Sequence, residues 1–170
     1  MNLEDYIRHV ADFPKPGIQF RDITPLLESP EATELALQMF VKLLEGIKVD
    51  KVAAIESRGF FFGILLAHRL NVGFVPIRKP GKLPFETLKE SYALEYGWDA
   101  LEIHRDAIKK GEKVLLHDDV LATGGTAFAA TKLIEKLEGE IVQINFLLEI
   151  EALGARQKFS NFPVKSLLQY

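Results

Sequence analysis

The 170-residue chain contains no cysteine, which excludes disulfides, thiolate metal sites and a cysteine nucleophile. Its net charge is only −3 at pH 7, so the composition gives no reason to expect nucleic acid or an anionic membrane as a partner. No apolar run is long enough to span a bilayer, and the mixed charges of residues 1–13 are unlike a signal peptide. We therefore expect a cytoplasmic protein that binds neither nucleic acid nor a membrane.

The overall composition is typical of a globular protein. Hydrophobic residues make up 48% and charged residues 26%, enough for one hydrophobic core. Apolar strands alternate with helical segments, which predicts an α/β fold with a mostly parallel sheet between helices. Strands are predicted at 51–55, 73–78, 114–117 and 141–150, and helices at about 30–45, 60–70 and 126–137. The spacing of Leu3, Ile7 and Val10 predicts a further short helix.

Polar turns follow three of the predicted strands. They cover residues 56–59, 78–82 and 118–126. In a parallel α/β sheet, ligands bind outside the carboxyl ends of the strands. We therefore expect these three turns to meet at one edge of the sheet and to form a binding site there.

The third turn carries the most specific pattern. Residues 114–126 read Val-Leu-Leu-His-Asp-Asp-Val-Leu-Ala-Thr-Gly-Gly-Thr. Asp118 and Asp119 end an apolar strand, where carboxylates can accept hydrogen bonds from a sugar diol. Loop 122–126 offers backbone N–H groups and hydroxyls beside a helix N-terminus, which is how many folds hold phosphate. The Thr-Gly-Gly-Thr run alone would fit an ordinary polar turn, but the acid pair favours a site. The absence of lysine disfavours a nucleotide triphosphatase loop.

This run resembles the phosphoribosyl-pyrophosphate (PRPP) binding motif of the type I phosphoribosyltransferases. Further segments at 13–27, 56–60, 78–84, 92–97 and 166–170 are similar to the adenine-specific family of these enzymes. Of these, 13–27 and 92–97 distinguish that family from other phosphoribosyltransferases. The implied reaction joins adenine to PRPP with Mg²⁺, giving AMP and pyrophosphate in purine salvage.

The resemblance also implies an architecture. It predicts a single domain over residues 1–170, in which helices flank a twisted, mostly parallel sheet with a small hood and a flexible lid hairpin. The hood would comprise about 13–27 and the segment after 150, and the lid about 79–98. A homodimer is implied as well, in agreement with the exposed apolar content that we expect around residues 60–66.

For the ribose phosphate, the resemblance implies binding by the acid pair and the loop after it. Asp118 and Asp119 would accept the ribose hydroxyls and stay ionised. The 5′-phosphate would bind the loop residues Ala122, Thr123, Gly124, Gly125 and Thr126. The glycines would let the backbone approach the phosphate closely, and the threonines would add hydroxyl donors.

Pyrophosphate needs cations and backbone donors, and the other two turns contain them. The resemblance implies that Ser57 and Arg58 form the pyrophosphate loop, where the family often has a non-proline cis peptide. Arg78, Lys79 and Lys82 are the other candidates, although a solvated basic loop is the alternative. Arg58 and Arg78 would also assist catalysis. Magnesium would bridge substrate oxygens and keep its waters, so no direct protein ligand is expected.

Glu95 and Tyr96 match the catalytic-loop pair of the family. Glu95 would accept the proton that adenine N9 loses, or polarise the base. Tyr96 would order the lid over the reaction centre. The alternative is a charged residue and a packing aromatic in a hairpin.

Adenine is flat and has a polar edge, so its site needs a sandwich and a few directed hydrogen bonds. We expect Phe20 and Ile150 to stack on it, and the backbones of Gln19 and Arg21 to bind its edge. Phe20 as an ordinary core residue is the alternative, since aromatic side chains are often buried.

Two other functions stay open. A phosphoribosyltransferase for an oxopurine would commonly use a lysine donor to the base carbonyl, but no lysine follows strand 141–150 before Lys158. A non-catalytic PRPP sensor on the same fold would need a basic nucleic-acid face.

We also expect His117 to face away from the sheet core and to have no catalytic role.

Overall fold

The computed structural model describes all 170 residues, Met1–Tyr170, as alternating strands and helices. In chain order the elements are β1 (Arg8–Ala11), β2 (Gln19–Asp22), α1 (Thr24–Glu28), α2 (Pro30–Lys42), β3 (Lys51–Ile55), α3 (Gly59–Leu70), β4 (Gly73–Ile77), β5 (Thr87–Ala93), β6 (Trp98–His104), β7 (Lys113–Leu121), α4 (Gly125–Lys136), β8 (Glu140–Glu149) and β9 (Val164–Gln169). Short 3₁₀ helices cover Leu3–Tyr6, Glu151–Leu153 and Ala155–Phe159.

The central sheet has five parallel strands in the order β4-β3-β7-β8-β9. The order reverses between β3 and β7, because the chain builds outward from β3 to β4 and then outward from β7 to β9. Such a switch point leaves a crevice at the carboxyl ends of the two strands. The expected parallel α/β fold is confirmed, and the switch point lies where two of the predicted polar turns begin.

Each face of the sheet is covered by its own hydrophobic core. One face packs against α2 and α3, with Phe40, Phe62 and Leu66 fully buried. The other face packs against α4 and the β5–β6 hairpin, with Leu101 and Leu133 fully buried. Each such side chain contributes about 1.5–3 kcal/mol of burial free energy. The sheet edge that carries the polar turns is thereby held on a rigid base.

Helix ends follow ordinary capping chemistry. The Ser29 hydroxyl accepts a hydrogen bond from the Ala32 N–H at 3.1 Å, and Pro30 occupies the first helical position of α2. A Cβ on Gly63 would lie 2.5 Å from the Cβ of Ala54, so only glycine allows α3 this close to β3. None of the helices is long and apolar enough to cross a membrane.

The structure corrects several predicted boundaries. The predicted first helix is wrong. Leu3 lies in a 3₁₀ turn, Ile7 follows that turn, and Val10 lies in β1, which pairs with β2. Leu3 and Ile7 are nevertheless buried. Strand β9 was not predicted at all. The hairpin runs to His104, beyond the predicted end of the excursion at residue 98. Strand β7 runs to Leu121, so the acid pair lies inside the strand.

The expectation that His117 faces away from the core is wrong. The imidazole is fully buried, and its Nδ1 lies 2.7 Å from the Asn145 Oδ1 on β8. Its ring meets Phe40 edge-on, with the ring centroids 5.1 Å apart. Burial lowers the pKa of His117 to about 4, so the ring is neutral at physiological pH.

Candidate active site

A cleft of about 1030 Å³ opens at the carboxyl ends of β3 and β7. Eleven of the predicted site residues line it: Gln19, Phe20, Arg21, Ser57, Arg58, Lys79, Asp118, Asp119, Ala122, Thr126 and Ile150. Five residues that were not predicted also line it: Gly17, Ile18, Glu56, Val120 and Leu153. Segments far apart in the chain therefore meet at one site, as the positions of the polar turns indicated.

The acid pair forms the floor of the cleft. A Cβ on Gly59 would lie 2.8 Å from the Asp118 Oδ1, so glycine lets α3 begin directly beside the pair. Asp119 forms an ion pair with Arg58, whose Nε lies 2.7 Å from its Oδ2. Burial raises the pKa of the Asp118 carboxyl well above its ordinary value, and the charge of Asp119 raises it further. The raised pKa of Asp118 runs against the prediction that both acids stay ionised. A bound cation would have to lower this pKa again.

The loop after β7 forms one end of the cleft, which we call the loop end. Gly124 caps α4 with a φ of +86°, a conformation that favours glycine. A Cβ there would lie 3.1 Å from the Phe159 ring and 3.2 Å from the Ala155 Cβ. The first-turn N–H groups of α4 have no partner within the helix, and its dipole favours an anion. The Lys158 ammonium donates to the Thr123 carbonyl oxygen beside this loop.

The basic side chains form the opposite end, which we call the cation end. Two of them, together with one backbone N–H group, meet at Glu56, whose side chain is only 9% exposed. Its carboxylate accepts from the Arg78 Nε at 3.2 Å, the Lys79 N–H at 2.7 Å and the Lys82 Nζ at 2.9 Å. Burial alone would raise the pKa of Glu56, but these donors hold it below its ordinary value. Glu56 therefore stays ionised among the cations.

Tyr92 lies between the two ends. Its hydroxyl accepts from the Lys79 Nζ at 2.9 Å, and Lys79 also pairs with Asp99 on β6. Burial alone would lower the pKa of Lys79, but its bonds to Asp99 and Tyr92 raise it above the ordinary value. A Cβ on Gly125 would lie 3.6 Å from the Tyr92 ring. The hairpin thus contacts both ends of the cleft.

Aromatic and apolar side chains form the wall between the two ends. The Phe20 ring packs edge-on against Phe13, and the Arg58 guanidinium lies 5.3 Å from its centroid. Phe20 is only partly buried and lines the cleft, so it is not an ordinary core residue. Ile150 comes directly after β8 and also lines the cleft. This wall has the flat, apolar character that a planar ligand requires.

Comparisons with known proteins agree with this geometry. The family model of the phosphoribosyl transferase domain matches residues 24–169. The adenine phosphoribosyltransferase of Christiangramia forsetii is 63% identical over 170 residues, which cover 100% of this chain and 99% of the relative. The chain belongs to the adenine phosphoribosyltransferase family.

Solved structures of adenine phosphoribosyltransferases have the same fold. The one from Thermoanaerobacter pseudethanolicus superposes with a TM-score of 0.96 at 51% identity, covering 99% of this chain and 100% of that chain. The one from Saccharomyces cerevisiae, complexed with adenine and an imino-altritol bisphosphate, has a TM-score of 0.94 at 42% identity, covering 98% and 96%. This chain has the type I phosphoribosyltransferase fold and is an adenine phosphoribosyltransferase.

Some of the predicted site residues do not line the cleft. Arg78 and Lys82 pair with Glu56, which lines the cleft, but they are not part of the lining themselves. The same holds for Thr123, Gly124 and Gly125. Glu95 and Tyr96 lie at the tip of the hairpin, where Tyr96 is 85% exposed. The Glu56–Ser57 peptide bond is cis, as the resemblance implied.

Glu56 is the charged residue of the cleft that the sequence did not predict. It stands in the quoted segment 56–60, but only Ser57 and Arg58 were assigned a role there. The available signal was charge: three cations at 78–82 follow the neighbouring strand and need a counter-charge when they converge. The register of β3 with β4, which pairs Ile55 with Ile77, brings the acid and the cations together.

Proposed function

We propose that this cleft transfers the phosphoribosyl group of PRPP to adenine, giving AMP and pyrophosphate, as a step of purine salvage in the cytoplasm. The observation that supports the proposal most is the meeting of three segments at one switch point: the acid pair with its loop, the basic cluster and the aromatic wall. Each suits one part of the two substrates. The reaction breaks the bond from ribose C1 to pyrophosphate and forms the bond from C1 to adenine N9.

Ribose 5-phosphate would bind at the loop end and the floor. The first-turn N–H groups of α4 and the hydroxyls of Thr123 and Thr126 suit a phosphate dianion. Asp118 and Asp119 would accept the two ribose hydroxyls. As C1 loses its leaving group, positive charge develops on the sugar, and the carboxylates stabilise it. Most of the catalysis would come from such positioning and charge stabilisation.

Pyrophosphate would bind at the cation end by an exchange of partners. Arg58, Arg78, Lys79 and Lys82 each already pair with a carboxylate, at Asp119, Glu56, Asp99 and Glu56 respectively. Phosphate oxygens would replace some of these carboxylates, and Ser57 would add donors from the loop. When Arg58 turns to pyrophosphate, Asp119 becomes available to the ribose. The two events would then support each other.

Adenine would lie against Phe20 and Ile150, with its polar edge towards the backbones of Gln19 and Arg21. All four residues line the cleft, and the yeast relative has been crystallised with adenine. Glu95 would take the N9 proton and Tyr96 would cover the reaction centre. Both lie at the exposed hairpin tip, so this role requires the tip, residues 94–97, to close over the cleft. Closure would also exclude water from PRPP.

The cleft is compatible with a Mg²⁺ ion that would be bound mainly through substrate oxygens. No three acidic or histidine side chains gather in a way that could hold a metal ion alone. Asp118 and Asp119 nevertheless present carboxylate oxygens to the cleft, and hard oxygen donors suit Mg²⁺. When bound, the ion would neutralise charge on the leaving pyrophosphate. The protein would orient the substrate oxygens that hold it.

A second copy of the chain would cover the exposed face of α3. Phe61 is 44% exposed and Ile64 is 50% exposed, although both lie on a helix whose opposite side is fully buried. Neighbouring exposed apolar side chains of this kind commonly mark an interface. A homodimer would bury them, and light scattering at working concentration would detect it.

The test is a competition between bases. Purified protein is mixed with Mg²⁺, PRPP and equal concentrations of adenine, hypoxanthine, guanine and xanthine, and the nucleotide monophosphates are separated by chromatography. We expect AMP as the only product. IMP, GMP or XMP would contradict the assignment of the base wall, and the absence of any nucleotide would contradict the proposed transfer.

A further inference from the structure

Tyr170 connects two segments that line the base pocket, β2 with Phe20 and the segment after β8 with Ile150. Its ring lies under Arg21 of β2, with the guanidinium carbon 4.4 Å from the ring centroid. Its backbone N–H donates to the Glu149 carbonyl oxygen at 2.9 Å, and its own oxygen accepts from the Glu151 N–H at 2.8 Å. These two bonds bracket Ile150. The ring of Tyr170, directly after β9, therefore packs on β2, while its backbone holds the segment that carries Ile150.

The Tyr170 ring is the contact that the structure shows for the Arg21 guanidinium. Arg58 and Lys79 are paired with carboxylates, whereas Arg21 has no ion pair. Its Nε is buried without a hydrogen-bond partner, so the face of the Tyr170 ring is the main favourable contact of the guanidinium. Loss of the ring would leave the partly buried guanidinium with no defined position.

The ring of Tyr170, rather than its hydroxyl, carries this contact. The hydroxyl is buried, and the acidic group near it is the Glu4 carboxyl. Burial and the nearby Glu4 carboxyl raise the pKa of Tyr170 to about 12, so the phenol is neutral and acts on Arg21 through its π face. The His9 ring meets it edge-on at a centroid distance of 5.8 Å and limits its rotation. A phenylalanine would retain all of these ring contacts.

We propose that Tyr170 is a positioning residue for adenine, and this inference rests on the proposed function. By holding Arg21, its ring fixes the position of β2, and thus of Phe20, relative to Ile150, and so sets the space in which the base is stacked. It touches neither the floor nor the loop end. Its removal should therefore affect adenine and leave PRPP almost unaffected.

The test measures KM for adenine, KM for PRPP and kcat in Tyr170→Leu and Tyr170→Phe. Tyr170→Leu should raise KM for adenine by roughly 5- to 30-fold, the range of one desolvated cation–π contact. KM for PRPP should change by less than about 2-fold. Tyr170→Phe should restore the wild-type values. Equal effects on both substrates, or no rescue by phenylalanine, would overturn the inference.

Two further variants separate positioning from stability. Leu168→Ala removes packing from the same strand without touching Arg21, so it should lower the melting temperature and leave KM for adenine unchanged. Arg21→Met breaks the contact from the other side and keeps the test decisive if Tyr170→Leu does not fold. The effects of Arg21→Met and Tyr170→Leu should not add in the double variant. Full additivity would overturn the inference.

The wild-type control separates this inference from the function on which it rests. If the wild type makes no AMP from adenine, the proposed function fails. If the wild type makes AMP but Tyr170→Leu and Arg21→Met both keep the wild-type KM for adenine, the function stands and only the role of Tyr170 is refuted.

Discussion

The loop end and the cation end of the cleft are both suited to anions, but they are built by different means. At the loop end the donors are backbone N–H groups at the start of α4, held open by a glycine with positive φ. At the cation end every basic side chain already has an acidic partner, and Glu56 alone serves two of them. The first end is ready for a phosphate, whereas the second must exchange one anion for another.

This difference has consequences for how each end tolerates change. A rigid site of neutral donors loses its function when its backbone is displaced, because nothing else can supply the hydrogen bonds. A site of paired charges contains a competitor for its own ligand, so removal of the competitor can strengthen binding.

The largest effect is expected at the floor, which serves both ends. Asp118→Asn should lower kcat/KM for PRPP by about 100-fold or more, because the amide cannot support the developing positive charge. The same change should raise the melting temperature of the free protein at pH 7. The folded pKa of Asp118 is raised, so its ionisation destabilises the fold as pH rises above about 4.

That thermal gain should vanish near pH 3, where the carboxyl is protonated in both the folded and the unfolded state. For a chain of this size, each kcal/mol corresponds to roughly 2–4 °C. Wild-type turnover in Asp118→Asn would contradict its assignment to the ribose.

A backbone change tests the loop end directly. Gly124→Ala introduces a Cβ about 3 Å from Phe159 and Ala155 at a positive φ, so the loop must move. We expect kcat/KM for PRPP to fall by about 100-fold. Gly46→Ala is the matched control, since Gly46 has a φ of +77° and open space around its Cβ position. The control should lose stability but keep its activity. Equal activity in both variants would mean that the loop does not bind the phosphate.

The hairpin tip belongs to neither end and tests whether it closes over both. Glu95→Gln should lower kcat by about 30- to 100-fold while KM changes little, because a general base acts on the chemical step. Glu86→Gln is the control, since Glu86 is an exposed acid earlier in the same excursion. Unchanged turnover in Glu95→Gln would show that Glu95 does not participate.

The cation end should show the opposite sign. Glu56→Gln removes the carboxylate that competes with pyrophosphate, so inorganic pyrophosphate should bind about 5-fold tighter, as roughly 1 kcal/mol of charge competition implies. Isothermal titration calorimetry measures this affinity. Glu90→Gln is the control, because Glu90 pairs with Lys136 between β5 and α4, away from the cleft lining. Weaker binding in Glu56→Gln would mean that Glu56 holds the cations in place rather than competing for them.

The smallest effect on activity is expected beneath the cleft. His117→Leu should retain turnover but lose about 1–3 kcal/mol of stability, since the Asn145 amide oxygen loses its buried partner. The folded pKa of His117, about 4, lies below the ordinary 6.5. The wild type therefore loses stability as pH falls from 6.5 towards 4, and the variant should lose less. Thermal melts at pH 7 and pH 4.5 measure the difference, and parallel losses would contradict this account.

The loop end was predictable because its parts are contiguous in the chain. Strand β7, the acid pair and the start of α4 follow from an apolar run, adjacent carboxylates and glycines within residues 114–126. The cation end was only partly predictable. Its basic residues were identified, but their pairing with Glu56 depends on the register of two strands.

The errors in the fold have the same origin. Leu3, Ile7 and Val10 have helical spacing, yet Val10 pairs with Phe20 in a hairpin, so a tertiary contact overrides a three-residue pattern. His117 is polar and was expected to face outward. It is buried because both faces of β7 are covered and Asn145 stands beside it in the register of β8. Neither partner can be inferred from its own segment alone.

The most direct test of this account is a crystal structure with PRPP, Mg²⁺ and an adenine analogue that lacks a reactive N9. We predict the 5′-phosphate on the N–H groups of 123–126 and pyrophosphate among the basic side chains. Arg58 should have moved from Asp119 to the pyrophosphate, and a ribose hydroxyl should take its place on Asp119. An Arg58–Asp119 pair that stays intact beside bound PRPP would contradict the exchange of partners on which the account depends.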